Sequence, residues 1–149
     1  MLLVASNAFA VNELIVWSVY GGGYNNWLEV KSVNNCATGA ATLTTTALQD
    51  GNGKILDLSG YYLYMVATYY GATAPTDNTD LELLEHTSAG NDILYGGGTD
   101  KIDNAANNSF QPFLNGAESV MPIYGPLYQK VSNNAVNAAT FTIVYKFVK

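Results

Sequence analysis

The chain has 149 residues and a mass of 16.0 kDa, enough for one domain whose core needs no staples. Charged residues make up 12% of it, the net charge is −6, and every cation is a lysine (31, 54, 101, 130, 146 and 149). That balance excludes the basic stripe nucleic-acid binding requires, and without arginine phosphorylated or 2-oxo acid substrates lack their preferred partner. No run approaches the ~18 apolar residues of a membrane span, and one cysteine excludes a disulfide framework.

In chain order, residues 1–10 come first. Ala8-Phe9-Ala10 fits a small-x-small cleavage site, but no Lys or Arg follows Met1, and Ser6 and Asn7 interrupt the apolar stretch. The segment is therefore expected to be structural. It is either an ordinary first strand or an N-terminal arm whose Leu2, Leu3, Val4, Phe9 and Val11 clasp a neighbour by strand addition. Removing residues 1–10 should, on the second reading, abolish assembly and leave the fold intact. Residues 11–149 read as a single domain.

From there the dominant period is two. Strands are expected over 11–20, 27–33, 41–48 and 55–58, between the turn clusters Gly21-Gly22-Gly23, Asn34-Asn35, Asp50-Gly51-Asn52-Gly53 and Ser59-Gly60. Residues 61–70 form a stronger strand, with Tyr61, Leu63, Met65, Ala67 and Tyr69 on one side and Tyr62, Tyr64, Val66, Thr68 and Tyr70 on the other. Both faces are apolar or aromatic, so it is central or covered by a partner. Thr79-Asp80-Leu81-Glu82 matches a capping box and could open a short helix ending near Gly90; a strand is the preferred reading. The Gly/Asn-rich stretch 90–108 is a long loop excursion, and loops of that length more often carry function than not. Residues 126–131 and 140–148 read as a closing hairpin, with Phe141, Ile143, Tyr145 and Phe147 facing inward. The fold class is all-β: an antiparallel β-sandwich, jelly-roll-like, with the loop excursion and the extended N-terminal arm.

Few residues offer chemistry. Gly90, Asp92 and Leu94 fit one repeat of the calcium-binding β-roll nonapeptide, and Gly98, Asp100 and Ile102 fit a second that is out of register. Such a stack needs about three repeats, so Asp92, Asp100 and Asp103 are candidate calcium ligands set against a preferred reading with no metal and no cofactor. The run from Asp50 to Lys54 starts like an EF-hand loop but has Ile55 where glycine and Tyr61 where glutamate is required. Gly21-Gly22-Gly23 lacks the Lys-Ser/Thr of a phosphate loop. Cys36 reads as a buried small side chain and His86 as a surface or satisfied polar residue. Glu82 and Glu85 fall on opposite faces of a strand, so no carboxylate pair is nominated. No catalytic residue emerges, and the chain is expected not to be an enzyme. Trp17, Trp27, Tyr62, Tyr64 and Tyr70 are expected in the core or between subunits, or alternatively as a platform for sugar rings.

Ile55-Leu56-Asp57-Leu58-Ser59-Gly60-Tyr61-Tyr62-Leu63-Tyr64, together with the stretches 126–134 and 140–147, resembles the domains of small phage virion proteins that decorate or cement capsids. The resemblance covers the latter two-thirds of the chain and lies in Thr/Asn/Gly-rich strands and a polar final hairpin. It implies a β-sandwich, often trimeric, seated at local symmetry axes of a capsid, without catalytic residues. The partners implied are further copies of itself, with a trimer favoured, and a major capsid protein or another virion component; the location implied is the virion surface. Low charge agrees, because a weakly charged exterior repels its neighbours little and suits a surface that is covered. The alternatives are a carbohydrate-binding or adhesin-type sandwich, extracellular, and a fibre- or pilus-like subunit marked by open-ended polymerisation.

Overall fold

Side chains that alternate between oil and water build sheets, and the computed structural model of this protein is made of them. It describes residues 14–21, 26–37, 43–114 and 116–149. Among the described residues there is no helix, and the paired strands are antiparallel. The larger sheet runs in the order β1 (Leu14–Gly21), β2 (Trp27–Asn35), β11 (Thr140–Val148), β4 (Tyr62–Tyr70), β6 (Asn108–Phe110), and β9 (Met121–Pro122) also pairs with β4. The smaller sheet is β3 (Thr46–Ala47), β10 (Leu127–Ser132), β5 (Asp80–Glu85). β7 (Phe113–Leu114) and β8 (Ala117–Glu118) form a short separate ribbon. The segment with the capping-box pattern is thus a strand, and the one expected at 55–58 is reduced to a bridge between Ile55 and Gln49.

The inward faces of the two sheets share one core. Leu28 and Val30 of β2, Leu63 and Val66 of β4, and Phe141, Ile143, Tyr145 and Phe147 of β11 meet Leu81 and Leu83 of β5 and Leu127 and Val131 of β10. Burying each large aliphatic side chain contributes roughly 1.5–3 kcal/mol, so this double layer holds the sheets face to face. Two details depart from simple alternation. β10 and β11 are not hairpin partners: β10 pairs with β3 and β5, whereas β11 pairs with β2 and β4, and the link between them crosses from one sheet to the other. Two inward-alternating strands are compatible with pairing edge to edge or stacking across a core, and here they stack. In β4 the register shifts so that Lys146 faces Met65 but Phe147 faces Leu63, leaving Tyr64 as the extra residue of a bulge. The inward set is therefore Leu63, Val66 and Thr68, and Tyr62 falls on the same outer face as Met65, Ala67 and Tyr69.

A polar cluster crosses the middle of this core. Gln129 of β10 accepts from the Ser32 hydroxyl (2.7 Å) and the Tyr145 phenol (2.8 Å) through Oε1, and its Nε2 donates to Asn34 Oδ1 at 2.8 Å. Asn34 Nδ2 donates in turn to Ser32 Oγ at 3.1 Å. All four residues are buried. Burial disfavours the phenolate, so Tyr145 is held well above the ordinary tyrosine value of 10.0.

Candidate functional site

The stretch after β5 is no slack loop. It runs back along the free edge of that strand and satisfies its backbone: Ile93 N donates to Leu83 O (2.8 Å), Leu81 N to Gly98 O (3.0 Å) and Ile102 N to Thr79 O (3.1 Å). Ile93, Leu94 and Ile102 are buried in the common core. Two glycines make this close approach possible. A Cβ at Gly90 would lie 1.8 Å from Glu85 O, and one at Gly98 would lie 2.0 Å from Leu81 O. Asp92 organises the turn: Oδ1 accepts from the amides of Leu83 and Leu94, each at 3.0 Å, and Oδ2 from that of Gly96 at 2.9 Å. Within the turn so held Tyr95 has φ 52°, and farther on Asp100, whose amide Asp80 holds, has φ 54°, a left-handed conformation that costs a side-chain-bearing residue about 1 kcal/mol or more.

Between this turn and the chain leaving β6 lies a groove of about 320 Å³, lined by Tyr95, Gly96, Gly97, Thr99, Lys101, Phe110, Gln111, Phe113 and Glu118. A second depression of about 200 Å³ shares Phe110, Gln111 and Glu118 with it and extends to Met65 and Ser109. Phe110 is buried, whereas Tyr95 is 59% and Phe113 41% exposed. Lys101 Nζ stands 6.0 Å from the Phe110 ring centroid, and its backbone carbonyl is held by the Thr68 hydroxyl and by Asn108 Nδ2 at 3.2 Å. The Phe113 amide faces Leu94 O at 3.4 Å, tying the β7–β8 ribbon to the turn.

A different surface carries most of the other exposed aromatic side chains. Pairing places Trp27, Val148 and Tyr62 in one cross-strand row on the outer face of the larger sheet, Tyr20, Glu29, Lys146 and Met65 in the next, and Val33, Thr142 and Tyr69 in another. Tyr20, Trp27, Val33, Tyr62 and Tyr69 are all exposed there. Of the aromatic residues singled out from sequence, Trp27 and Tyr62 therefore come together. Tyr64 occupies the bulge, and Tyr70 sits about 25 Å along β4 from Tyr62. The Trp17 side chain and the arm residues Leu2, Leu3, Val4, Phe9 and Val11 lie outside the described residues.

Of the candidate calcium ligands, Asp92 and Asp103 turn their carboxylates to the backbone, and Asp100 is held through its own amide. Besides Asp92, the amide of Asp100 donates to Asp80 Oδ1 at 2.9 Å, and Asp103 Oδ1 accepts from Ala105 N at 2.7 Å, a bond that holds the Asp103 carboxyl below its ordinary range. Among the described residues no group of three or more His, Cys, Asp or Glu is placed to hold a metal ion. Cys36 is buried against Asn134, and His86 is exposed at φ 62° after β5. Sequence reasoning marked the excursion but missed Phe110 and Phe113, which follow it and read as isolated aromatics in a segment without period. Compared with protein-family models, with curated proteins and with solved structures, the chain matches none.

Proposed function

We propose that this protein is a non-enzymatic structural subunit of a virion, of the kind that decorates or cements a phage capsid, and that it works by covering and being covered. The observation that carries the reading is the outer face of the larger sheet, where Tyr20, Trp27, Val33, Tyr62 and Tyr69 are exposed on an antiparallel surface. Its charged members are Glu29 and Lys146, paired with each other at 3.9 Å, and Lys31, which leaves a net charge of about one. Aromatic side chains on a face with little net charge are the composition of a surface that another protein covers. Contacts to several shell subunits at once would add, so modest interfaces hold through multivalency. Homo-oligomerisation, with a trimer favoured, and seating on a major capsid protein complete the proposal.

Native mass measurement of the full chain tests it. A closed oligomer is expected, and Trp27→Asp with Tyr62→Asp should convert it to a folded monomer. A wild-type monomer that also fails to bind any virion shell would overturn the reading, and open-ended polymers would favour a fibre subunit. The alternative of a sugar platform on Trp27, Tyr62, Tyr64 and Tyr70 has less support, because Tyr64 and Tyr70 stand away from the Trp27–Tyr62 row.

A further inference from the structure

We infer that the groove between the 95–101 turn and β6–β8 is a binding site for an uncharged oligosaccharide, which meets the surface proposed for assembly at Met65 but uses different aromatic side chains. Three features of its lining select that chemistry. Tyr95 and Phe113 supply exposed ring surface beside the buried Phe110, which favours the C–H faces of a pyranose over a fully polar ligand. Thr99, Gln111, Lys101 and Glu118 supply donors and acceptors around the rings, as hydroxyl-rich ligands need. The two charges are of opposite sign, so the groove has no net charge with which to attract an anion or a cation, and the chain as a whole repels polyanions with its net charge of −6.

Shape points to a chain of rings. The main depression, about 320 Å³, lies at the small end of the range for ligand sites, about 300–1,000 Å³. The neighbouring depression of about 200 Å³ shares Phe110, Gln111 and Glu118 and prolongs it toward Met65. Two shallow subsites with a common wall suit linked residues better than one compact molecule. The site is also preorganised. Tyr95 is exposed on a backbone held at φ 52° by Asp92, a cost the fold bears where it presents the ring to solvent. Gly96 and Gly97 beside it add no side chain to that wall, and their amides are held by Asp92 Oδ2 and Leu94 O at 2.9 Å each, so the wall keeps its shape.

The experiment is an amide-resolved NMR titration of the full chain with cellotetraose, chitotetraose and maltotetraose, each to about 10 mM, suited to Kd values near 1 mM. At least one probe should give saturable shifts centred on the amides of Gly96, Gly97, Thr99 and Gln111. Tyr95→Ala and Phe113→Ala, both at exposed side chains, should each weaken that binding about fivefold or more while the remaining spectrum stays native. Trp27→Ala should leave it unchanged. The inference is overturned if none of the three sugars shifts those amides, if the shifts centre on Trp27 and Tyr62 instead, or if a heparin-derived tetrasaccharide binds the groove more tightly than every neutral probe. Because assembly is read by Trp27→Asp with Tyr62→Asp and sugar binding by Tyr95→Ala and Phe113→Ala, either reading can fail without the other.

Discussion

Gln129 is the residue on which the centre of the molecule turns. It is the member of β10 that hydrogen-bonds to the larger sheet, and three buried polar groups depend on it: the Ser32 hydroxyl, the Asn34 side-chain carbonyl and the Tyr145 phenol. Replacing it by leucine keeps the bulk but strands those groups, at roughly 1–3 kcal/mol for each buried group left unsatisfied. Gln129→Leu is therefore expected to lower the urea midpoint severely, with a loss of several kcal/mol. Tyr145→Phe is milder, about 1 kcal/mol, because Gln129 Oε1 keeps its bond from Ser32. The phenol also sets an alkaline limit. Unfolded, Tyr145 loses its proton near its ordinary value of 10.0; folded, it keeps it to higher pH. The folded state then binds the extra proton, so its stability is full below about pH 10 and declines above that. Comparing urea midpoints at about pH 9 and about pH 11 should show a smaller decline in Tyr145→Phe than in the parent. The inward aromatic face of β11 was legible from alternation. That Tyr145 would end on a glutamine was not, because Gln129 alternates with Leu127 and Val131 as though it were one more core residue.

At the scale of elements, the excursion after β5 is the part most dependent on a single side chain. Asp92 holds three amides that no carbonyl reaches in their place. Asp92→Ala should cost about 1.5–3 kcal/mol and, more tellingly, raise hydrogen exchange at Leu94 and Gly96 well before the rest of the sheet responds. If those amides exchange no faster, the carboxylate does not organise the turn. The Gly-rich, Asp-containing pattern at 90–103 announced a turn that needs special backbone, and the structure uses it so, with the Asp92 and Asp103 carboxylates turned toward N–H groups. The groove itself was half visible. Tyr95 to Lys101 belong to the marked excursion, but their counterparts Phe110 and Phe113 sit some ten residues on, and only the pairing of β6 with β4 brings them alongside. No local spacing encodes that meeting. The bulge at Tyr64 escaped for a related reason: alternation assumes one residue per partner, and the extra residue shows only against β11.

For the whole molecule, the all-β class and the longer strands followed from turn residues and period, whereas the short strands β6 to β9 and the distribution between sheets did not. The segments 126–131 and 140–148 have the signature of a hairpin, yet each belongs to a different layer. Sequence neighbours usually pair, but a short link held by Asn134, which receives the amide of Thr76 at 3.1 Å and donates to Val136 O at 2.8 Å, carries the chain over the edge. One core and one polar cluster shared by both layers predict a single cooperative transition. Far-ultraviolet circular dichroism and tryptophan fluorescence should report coincident urea curves, and separated midpoints would mean the layers melt apart. The strand order adds a constraint on biosynthesis. β11 lies between β2 and β4, and it is translated after both. Until it emerges from the ribosome, β2 and β4 present unpaired inner edges with no template between them. The nascent polypeptide therefore passes through a window in which chaperones or promiscuous β-pairing compete for the vacancy that β11 is destined to fill.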